Sequence, residues 1–220
     1  MTVTGSTFEA PTPYVGLPAR LGVLLSGRGS NFVALAEACR QSLLPASVAL
    51  VISDRPDAAG LLKAHAMGIP AAAVDRKLYK ARADHEERVV ALLEEAGVSL
   101  VCLAGYMRIL SSAFVDRFRL RLLNIHPSLL PSFPGKEAQA QALAYGARVT
   151  GVTVHFVDAG MDTGPILAQE AMPVEPSDTV STLSARLLEL EHRVYRRAVG
   201  DVLQGGWALN GRSVSFPPSI

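Results

Sequence analysis

Residues 21–31 have the sequence LGVLLSGRGSN, in which a short apolar run leads directly into a glycine-rich loop. A short apolar run bounded by glycines is typical of a buried strand in a parallel sheet. The segment from Asn31 to Arg40 follows with apolar residues at helical spacing. A strand, a glycine-rich loop and a helix in this order predict the first unit of an α/β fold.

The same alternation continues along the chain. We predict further strands at 48–52, 69–74, 100–104 and 122–125, with helices between them at 58–67, 82–96 and 112–118. Strands that alternate with helices of this length imply parallel βαβ units with right-handed crossovers.

The C-terminal third has a different pattern. Residues 151–157 alternate apolar and polar side chains, which predicts a half-buried strand, and 164–174 is another extended segment. A long helix is predicted at 178–203, and Asn210-Gly211 is typical of a tight hairpin turn. The predicted fold class is therefore α/β, a Rossmann-like and mostly parallel sheet flanked by helices, with an extended C-terminal part and a small hairpin.

Composition limits the class of protein. The chain has 220 residues, of which 49% are hydrophobic and 19% charged, so it has enough apolar surface for a real core. We interpret residues 1–18 as a flexible tail and 19–220 as a single domain. A formal charge of +1 argues against bulk nucleic-acid binding, which needs a basic face. Cys39 and Cys102 suggest neither a disulfide framework nor a zinc site.

The N-terminal segment has neither the basic start nor the apolar run of a secretory signal. The chain also lacks a run of about 18 uncharged apolar residues, the length of a membrane span. We therefore expect no membrane association and a cytoplasmic location.

The glycine-rich loop is the first candidate site. Backbone N–H groups at the start of a helix favour an anion, so Gly29, Ser30 and Asn31 are predicted to hold a phosphate monoester. A dinucleotide site is the alternative, with Asp54 as its ribose-binding acid, but Phe32 occupies the position of the third glycine. The structural alternative is a tight turn with Ser30 as the helix N-cap.

Asn124 and His126 are the second candidate site. They lie two residues apart at the carboxyl end of a predicted strand, so their side chains point to the same side of the sheet. An amide donor beside an imidazole suits the stabilisation of a developing oxyanion. The alternative is a structural histidine, which is also our interpretation of His155 on the alternating strand, whereas His192 could face solvent or the phosphate site.

Two loops complete the candidate set. The loop 158–165 is rich in turn residues, and a carboxylate from it near His126 would raise the pKa of the imidazole and orient the ring. Without that contact, its acids serve turn chemistry. Residues 104–110 leave the fourth predicted strand as an apolar stretch, which suits either the pocket of a flat ligand or plain core packing.

Together these motifs closely resemble the phosphoribosylglycinamide formyltransferases, folate-dependent enzymes of purine biosynthesis. The resemblance rests on four segments: SGRGSN at 26–31, AGYMRIL at 104–110, NIHPSLLP at 124–131 and GMDTGP at 160–165. The third segment is shared among folate-dependent formyltransferases. The first segment distinguishes the phosphoribosylglycinamide formyltransferases from the other enzymes of that group.

The resemblance implies a function and roles for named residues. It implies transfer of a formyl group from the co-substrate 10-formyltetrahydrofolate to the amine of glycinamide ribonucleotide, without a metal. It implies an oxyanion held by Asn124 and a protonated His126, with Asp162 raising the pKa of that histidine. The ribonucleotide-binding residues would be Gly29, Ser30, Asn31 and Glu191. The folate-binding residues would be Arg82, Met107, Arg108, Ile109, Leu110, Asn124, Asp158, Ala159, Gly160, Met161 and Asp162.

Three alternatives stay open. A formyltetrahydrofolate deformylase would share the chemistry, but the family usually adds an N-terminal regulatory domain. A methionyl-tRNA formyltransferase-like domain would add a C-terminal domain and RNA contacts. A non-catalytic phosphate or nucleotide sensor would explain the glycine-rich loop but not the Asn, His and Asp together. The expected partners are small-molecule substrates, neither nucleic acid nor membrane, and a homodimer stays open.

Overall fold

The computed structural model describes residues 7–9 and 18–217. Their strands are β1 (Thr7–Glu9), β2 (Ala19–Leu25), β3 (Ala46–Ser53), β4 (Ala71–Ala73), β5 (Leu100–Leu103), β6 (Leu122–His126), β7 (Val149–Phe156), β8 (Ile166–Pro173), β9 (Ala208–Asn210) and β10 (Ser213–Ser215). Their helices are α1 (Ser30–Arg40), α2 (Ala59–Ala66), α3 (Arg82–Glu95), α4 (Ser112–Arg117), α5 (Ala138–Tyr145) and α6 (Val180–Gln204).

All these strands form one sheet, in the order β1-β9-β10-β8-β7-β6-β5-β2-β3-β4. Strands β2 to β6 pair in parallel, whereas β7 and β8 join antiparallel beyond β6. The hairpin β9–β10 pairs with β8 through β10. The predicted fold class is confirmed, and each predicted strand and helix has a counterpart in the structure.

Helices cover both faces of the sheet and enclose two apolar clusters. On one face α1, α2 and α6 pack through residues such as Phe32, Leu35 and Leu187, and on the other α3 packs through Val89 and Leu93. Within α6, the hydroxyl of the buried Tyr195 donates to the carbonyl of Leu103 at the end of β5 and to that of Leu123 near the start of β6. This anchor fixes α6 against the strands whose carboxyl ends carry the predicted site.

Burial along β7 differs from the prediction. Every residue of this strand except Val149 is buried, so the expected half-buried pattern is wrong. The reason is that α6 packs against β7, while the segment 128–130 hydrogen-bonds to Thr153 in the middle of the strand. The exposed alternation belongs to the next strand, β8. The sequence analysis also missed α5, which follows a left-handed residue at Glu137.

The segment interpreted as a flexible tail contains one ordered element. Thr7–Glu9 pairs antiparallel with Ala208–Asn210, which departs from the prediction at these three residues. The rest of that segment up to residue 17 lies outside the described residues.

Candidate active site

A cavity of about 600 Å³ lies at the carboxyl ends of β5 and β6. Its lining brings together predicted residues from distant parts of the chain: Asn31, Met107, Arg108, Ile109, Leu110, Asn124, His126, Asp158, Gly160, Met161, Asp162 and Glu191. Ligands of open α/β sheets bind at this edge. Members of the predicted ribonucleotide, catalytic and folate sets therefore share one cavity, whereas Gly29 and Ser30 do not line it.

The glycine-rich loop ends in a helix that no described side chain caps. Gly29 is the N-cap of α1, with φ 68° in the left-handed region, so the alternative in which Ser30 caps the helix is wrong. A Cβ on Gly29 would stand 2.8 Å from the Cα of Gly60, so both backbone conformation and space require glycine. The first N–H groups of α1 lack intrahelical partners and are suited to an anion.

Asn31 and Glu191 form a buried pair at this end of the cavity. The Asn31 amide nitrogen donates to Glu191 Oε2 at 2.6 Å, which ties α1 to α6. Burial raises the pKa of Glu191, although the hydrogen bond from Asn31 and the charge of Arg28 oppose that shift. The amide oxygen of Asn31 is buried without a partner among the described residues.

A second cavity of about 440 Å³ runs along α1, from Ser30 at its start to Arg40 at its end. Its lining includes Ser30 and three basic side chains, Arg40, Lys63 and His192. Burial lowers the pKa of His192, and its Nε2 atom has no partner among the described residues. His192 faces this cavity together with Glu37, whose charge opposes the lowering of its pKa.

His126 is held through both ring nitrogens. Nε2 lies 2.9 Å from the main-chain oxygen of Phe133, and because a carbonyl only accepts, Nε2 carries a proton. Nδ1 lies 3.4 Å from Asp162 Oδ2. The histidine side chain is 6% exposed, so its ring is fixed and its Nδ1 edge is the one that meets the carboxylate.

Asn124 completes the predicted trio. Its Nδ2 atom lies 3.4 Å from Asp162 Oδ1 and 3.3 Å from Nε2 of His155. These partners set the orientation of the amide, since a nitrogen and not an oxygen belongs beside a carboxylate. An amide nitrogen has two hydrogens, and both face acceptors here, so a ligand oxygen would have to replace one of these two partners.

His155 is a site residue that the sequence analysis missed. It is buried and donates Nδ1–H to the carbonyl of Phe156 at 2.8 Å, which leaves Nε2 facing the trio. Neutral His155 accepts from Asn124, and protonated His155 pairs with Asp162, 3.7 Å away. The available signal was its position on β7, directly across the sheet from Asn124.

Asp162 lies between the two histidines in a left-handed backbone conformation, φ 54°. Burial acts to raise its pKa, but hydrogen bonds from His155 and the Gly135 amide and the charges of His126 and His155 outweigh burial and lower the pKa. The Gly135 N–H donates to Oδ2 at 2.8 Å. Asp162 is therefore an ionised carboxylate that joins two loops and faces two imidazoles.

The loop that carries Asp162 is held from two directions. Asp158 accepts from Gly160 N and from the hydroxyl of Thr163, which is the turn chemistry that the sequence also allowed. Arg212, in the C-terminal hairpin, donates to the main-chain oxygen of Thr163 at 2.6 Å. The small hairpin thus supports the loop that carries Asp162.

The segment after β5 forms the far wall of the cavity. Its Met107 amide donates to the hydroxyl of Ser26 at 2.9 Å, and the side chains of Met107 and Ile109 are exposed. Across the cavity Met161 is also exposed. These apolar side chains flank a space suited to a flat ligand.

Two predicted folate residues lie apart from this wall. Arg82, the first residue of α3, and Ala159 are not among the described residues that line the cavity. Arg82 is joined to the wall indirectly, because Glu86 accepts from Arg82 Nε at 2.7 Å and from the Ser111 amide at 3.1 Å.

Comparison with known proteins agrees with this geometry. A family model for formyl transferases matches residues 19–199. The phosphoribosylglycinamide formyltransferase of Bacillus subtilis (strain 168) is 40% identical over 184 residues, which are 84% of this chain and 94% of that protein. The chain belongs to the formyl transferase family. The stated resemblance to phosphoribosylglycinamide formyltransferases is confirmed.

Two further relatives of this formyl transferase differ in how much of them it covers. The crystal structure of glycinamide ribonucleotide transformylase 1 from Symbiobacterium toebii has a TM-score of 0.90 and 46% identity over 95% of this chain and 99% of that one. The trifunctional purine biosynthetic protein adenosine-3 of Homo sapiens is 48% identical over 187 residues, 85% of this chain. The chain spans only 18% of the length of that trifunctional protein.

None of the helices within 18–217 is long and apolar enough to cross a bilayer. The same part of the chain has no group of three or more His, Cys, Asp or Glu side chains arranged to hold a metal ion.

Proposed function

We propose that this chain transfers the formyl group of 10-formyltetrahydrofolate to the amine of glycinamide ribonucleotide, giving the N-formyl ribonucleotide and tetrahydrofolate. The observation that carries the proposal is that one cavity is lined by Asn31 and Glu191, by residues 107–110, and by Asn124 and His126. Direct transfer needs both substrates in one cleft, with the reacting atoms in contact.

The end with Asn31 and Glu191 suits a phosphorylated sugar. The phosphate would lie on the uncapped first turn of α1, at Gly29 and Ser30, where the helix dipole favours negative charge. Arg40 and Lys63 of the neighbouring cavity bring positive charge along α1, and Glu37 offsets part of it. Glu191, which lines the main cavity, can then accept hydrogen bonds from the ribose hydroxyls or the glycinamide group.

The part of the cavity that residues 107–110 line suits the folate. Backbone N–H and C=O groups of residues 107–110 can pair with the edge of a pterin, while Met107, Ile109 and Met161 contact its faces. Asp158, Ala159 and Gly160 belong to the loop on the other side of the cavity, which would close over the same ring.

Chemistry would take place at the trio. The neutral amine attacks the formyl carbon, a C–N bond forms, and the electron pair of the carbonyl moves to its oxygen. A hydrogen of Asn124 Nδ2, released from one of its protein acceptors, and a proton on His126 Nδ1 would hold that oxyanion. Because Nε2–H already donates to Phe133, the proton on Nδ1 would be shared between Asp162 and the oxyanion. Asp162 compensates the positive charge of the imidazolium.

Collapse of the tetrahedral intermediate restores the carbonyl and breaks the bond to N10 of the folate. One proton must leave the attacking amine, and one must reach N10 as it departs. His126 lies at the centre of the cavity and can pass a proton between the two nitrogens, directly or through ordered water. The products are the formylated ribonucleotide and tetrahydrofolate.

The test is a product assay with 10-formyltetrahydrofolate labelled in its formyl carbon. We expect tetrahydrofolate to appear only when glycinamide ribonucleotide is present, with the label in the ribonucleotide. Glycinamide riboside, which lacks the phosphate, is the matched control and should react poorly. Release of labelled formate without ribonucleotide would instead identify a deformylase, and binding without turnover would favour a sensor domain.

A further inference from the structure

Asp54 is a buried acid that the proposed chemistry does not use. It follows β3, and its side chain is only 3% exposed. The sequence analysis considered it as the ribose-binding acid of a dinucleotide site. In the structure its Oδ2 atom lies 2.7 Å from Nε of Arg108, and its Oδ1 atom is buried without a partner among the described residues.

In this contact the Nε–H group of Arg108 is the donor. Arg108 lines the cavity, and its side chain is 43% exposed. Among the described residues, its two terminal nitrogens make no other hydrogen bond. Because the guanidinium is planar and rigid, a bond at Nε also fixes the direction of the terminal amino groups. They form a fork that matches a carboxylate.

The chain offers a useful contrast a few residues away. Arg55 and Asp57 also pair at 3.1 Å, but their side chains are 59% and 73% exposed. An exposed pair is screened by water and contributes little. Burying a carboxylate costs free energy, and the ion pair with Arg108 offsets part of that cost for Asp54.

The backbone near Arg108 is held independently of Asp54. The Met107 amide donates to Ser26, and the Ser111 amide donates to Glu86, so both ends of the segment have their own anchors. Removing the Asp54 carboxylate should therefore release the side chain of Arg108 without moving the wall that faces the pterin.

We propose that Asp54 is a positioning residue, which holds the Arg108 guanidinium so that its terminal amino groups receive the anionic glutamate tail of the folate. The inference rests on the proposed function, since it needs a folate in the cavity. It concerns the tail alone and leaves the transfer chemistry to the trio.

The experiment compares Asp54→Ala and Asp54→Asn with wild type, using 10-formyltetrahydrofolate and its pteroate analogue without the glutamate tail. For Asp54→Ala we expect the KM of the tailed substrate to rise about tenfold, with kcat and the KM of the tailless substrate unchanged. Asparagine keeps an oxygen acceptor for Nε, so Asp54→Asn should recover most of the lost affinity. The exposed Asp57→Asn is the matched control and should behave as wild type.

Several results would overturn the inference. If the KM values for both folates rise together, or kcat falls with them, Asp54 is merely structural. If Asp54→Ala lowers the KM of the tailed substrate, the acid only weakens the charge of Arg108. Asp54→Ser, whose hydroxyl is too short to reach Nε, replaces the alanine variant if that one does not fold. Failure of the wild type to transfer formyl groups would instead refute the proposed function.

Discussion

The two ends of the cavity are built from different parts of the chain. In the proposed ribonucleotide site, the binding groups come mainly from the backbone. Gly29 turns the chain, and the first turn of α1 presents its N–H groups. In the proposed catalytic site, the functional groups are side chains, and Asp162 lies between two buried histidines. The first end depends on local geometry, and the second on charges brought together from distant segments.

This difference implies a separation of kinetic effects. A change at the backbone end should weaken binding of one substrate in ground state and transition state alike, and so raise its KM. A change in the charged network should weaken only the stabilisation of the oxyanion, and so lower kcat. If variants in one part of the cavity change KM and variants in the other part change kcat, they support this comparison. If variants in either part change both constants, they contradict it.

The largest effect is expected for Asp162→Asn. Asparagine keeps an oxygen that can accept from the Gly135 amide but removes the charge that compensates the imidazolium. We expect kcat to fall by about 100-fold or more, on the scale of losing one oxyanion contribution. The KM for the ribonucleotide should change by less than about threefold. Steady-state kinetics with each substrate varied in turn gives both values.

The control for that variant is Asp116→Asn, an exposed aspartate in α4. It loses the same charge away from the cavity and should keep wild-type kinetics. A near wild-type kcat for Asp162→Asn would show that this residue only stabilises the turn.

The next effect is expected at the phosphate loop. Gly29→Val places a side chain against Gly60 in a left-handed backbone, and Asn31→Ala removes the partner of Glu191. We expect the KM for the ribonucleotide to rise about tenfold or more, with the KM for the folate nearly unchanged. Asn31→Ala carries the test if the valine variant does not fold. Equal rises in both KM values would refute the assignment.

The smallest effect is a change in stability with pH at Glu191. Its pKa in the folded protein is raised above the unfolded value of about 4.3, so the folded state binds the proton more tightly. Stability is therefore greatest below the unfolded pKa and is lost as the pH rises through the folded one. Glu191→Gln removes this loss and should raise Tm by about 2–4 °C at pH 7.5, with no gain near pH 4.

Thermal melts of the variant and wild type at the two pH values provide the measurement. Glu189→Gln, an exposed neighbour on the same helix, is the matched control and should show no such difference. A lower Tm for Glu191→Gln at pH 7.5 would mean that the charged form of Glu191 stabilises the fold.

The features that could be predicted are those set by neighbours in sequence. The strand, glycine-rich loop and helix at 21–40 follow from apolar periodicity and the conformational freedom of glycine. The shared direction of Asn124 and His126 follows from the two-residue period of a strand. The burial of β7 could not be predicted in this way, because it depends on α6 and on a segment that returns from β6.

The missed parts of the site are long-range in the same sense. The carbonyl of Phe133 holds His126 through the backbone, and a backbone acceptor leaves no residue type as a signal. His155 is separated from Asn124 by 31 residues and meets it only through antiparallel pairing of β6 and β7. The pairing of Asp54 with Arg108 spans 54 residues in the same way.

The central claim is that His126 and Asp162 act as one unit, and a double-mutant cycle tests it most directly. The measurement is kcat for His126→Ala, Asp162→Asn and the double variant under saturation with both substrates. Residues that act as a unit are not additive, so the double variant should lie within about threefold of His126→Ala alone. A double variant whose loss equals the product of the two single losses would show that the carboxylate acts independently of the imidazole, and would contradict the account.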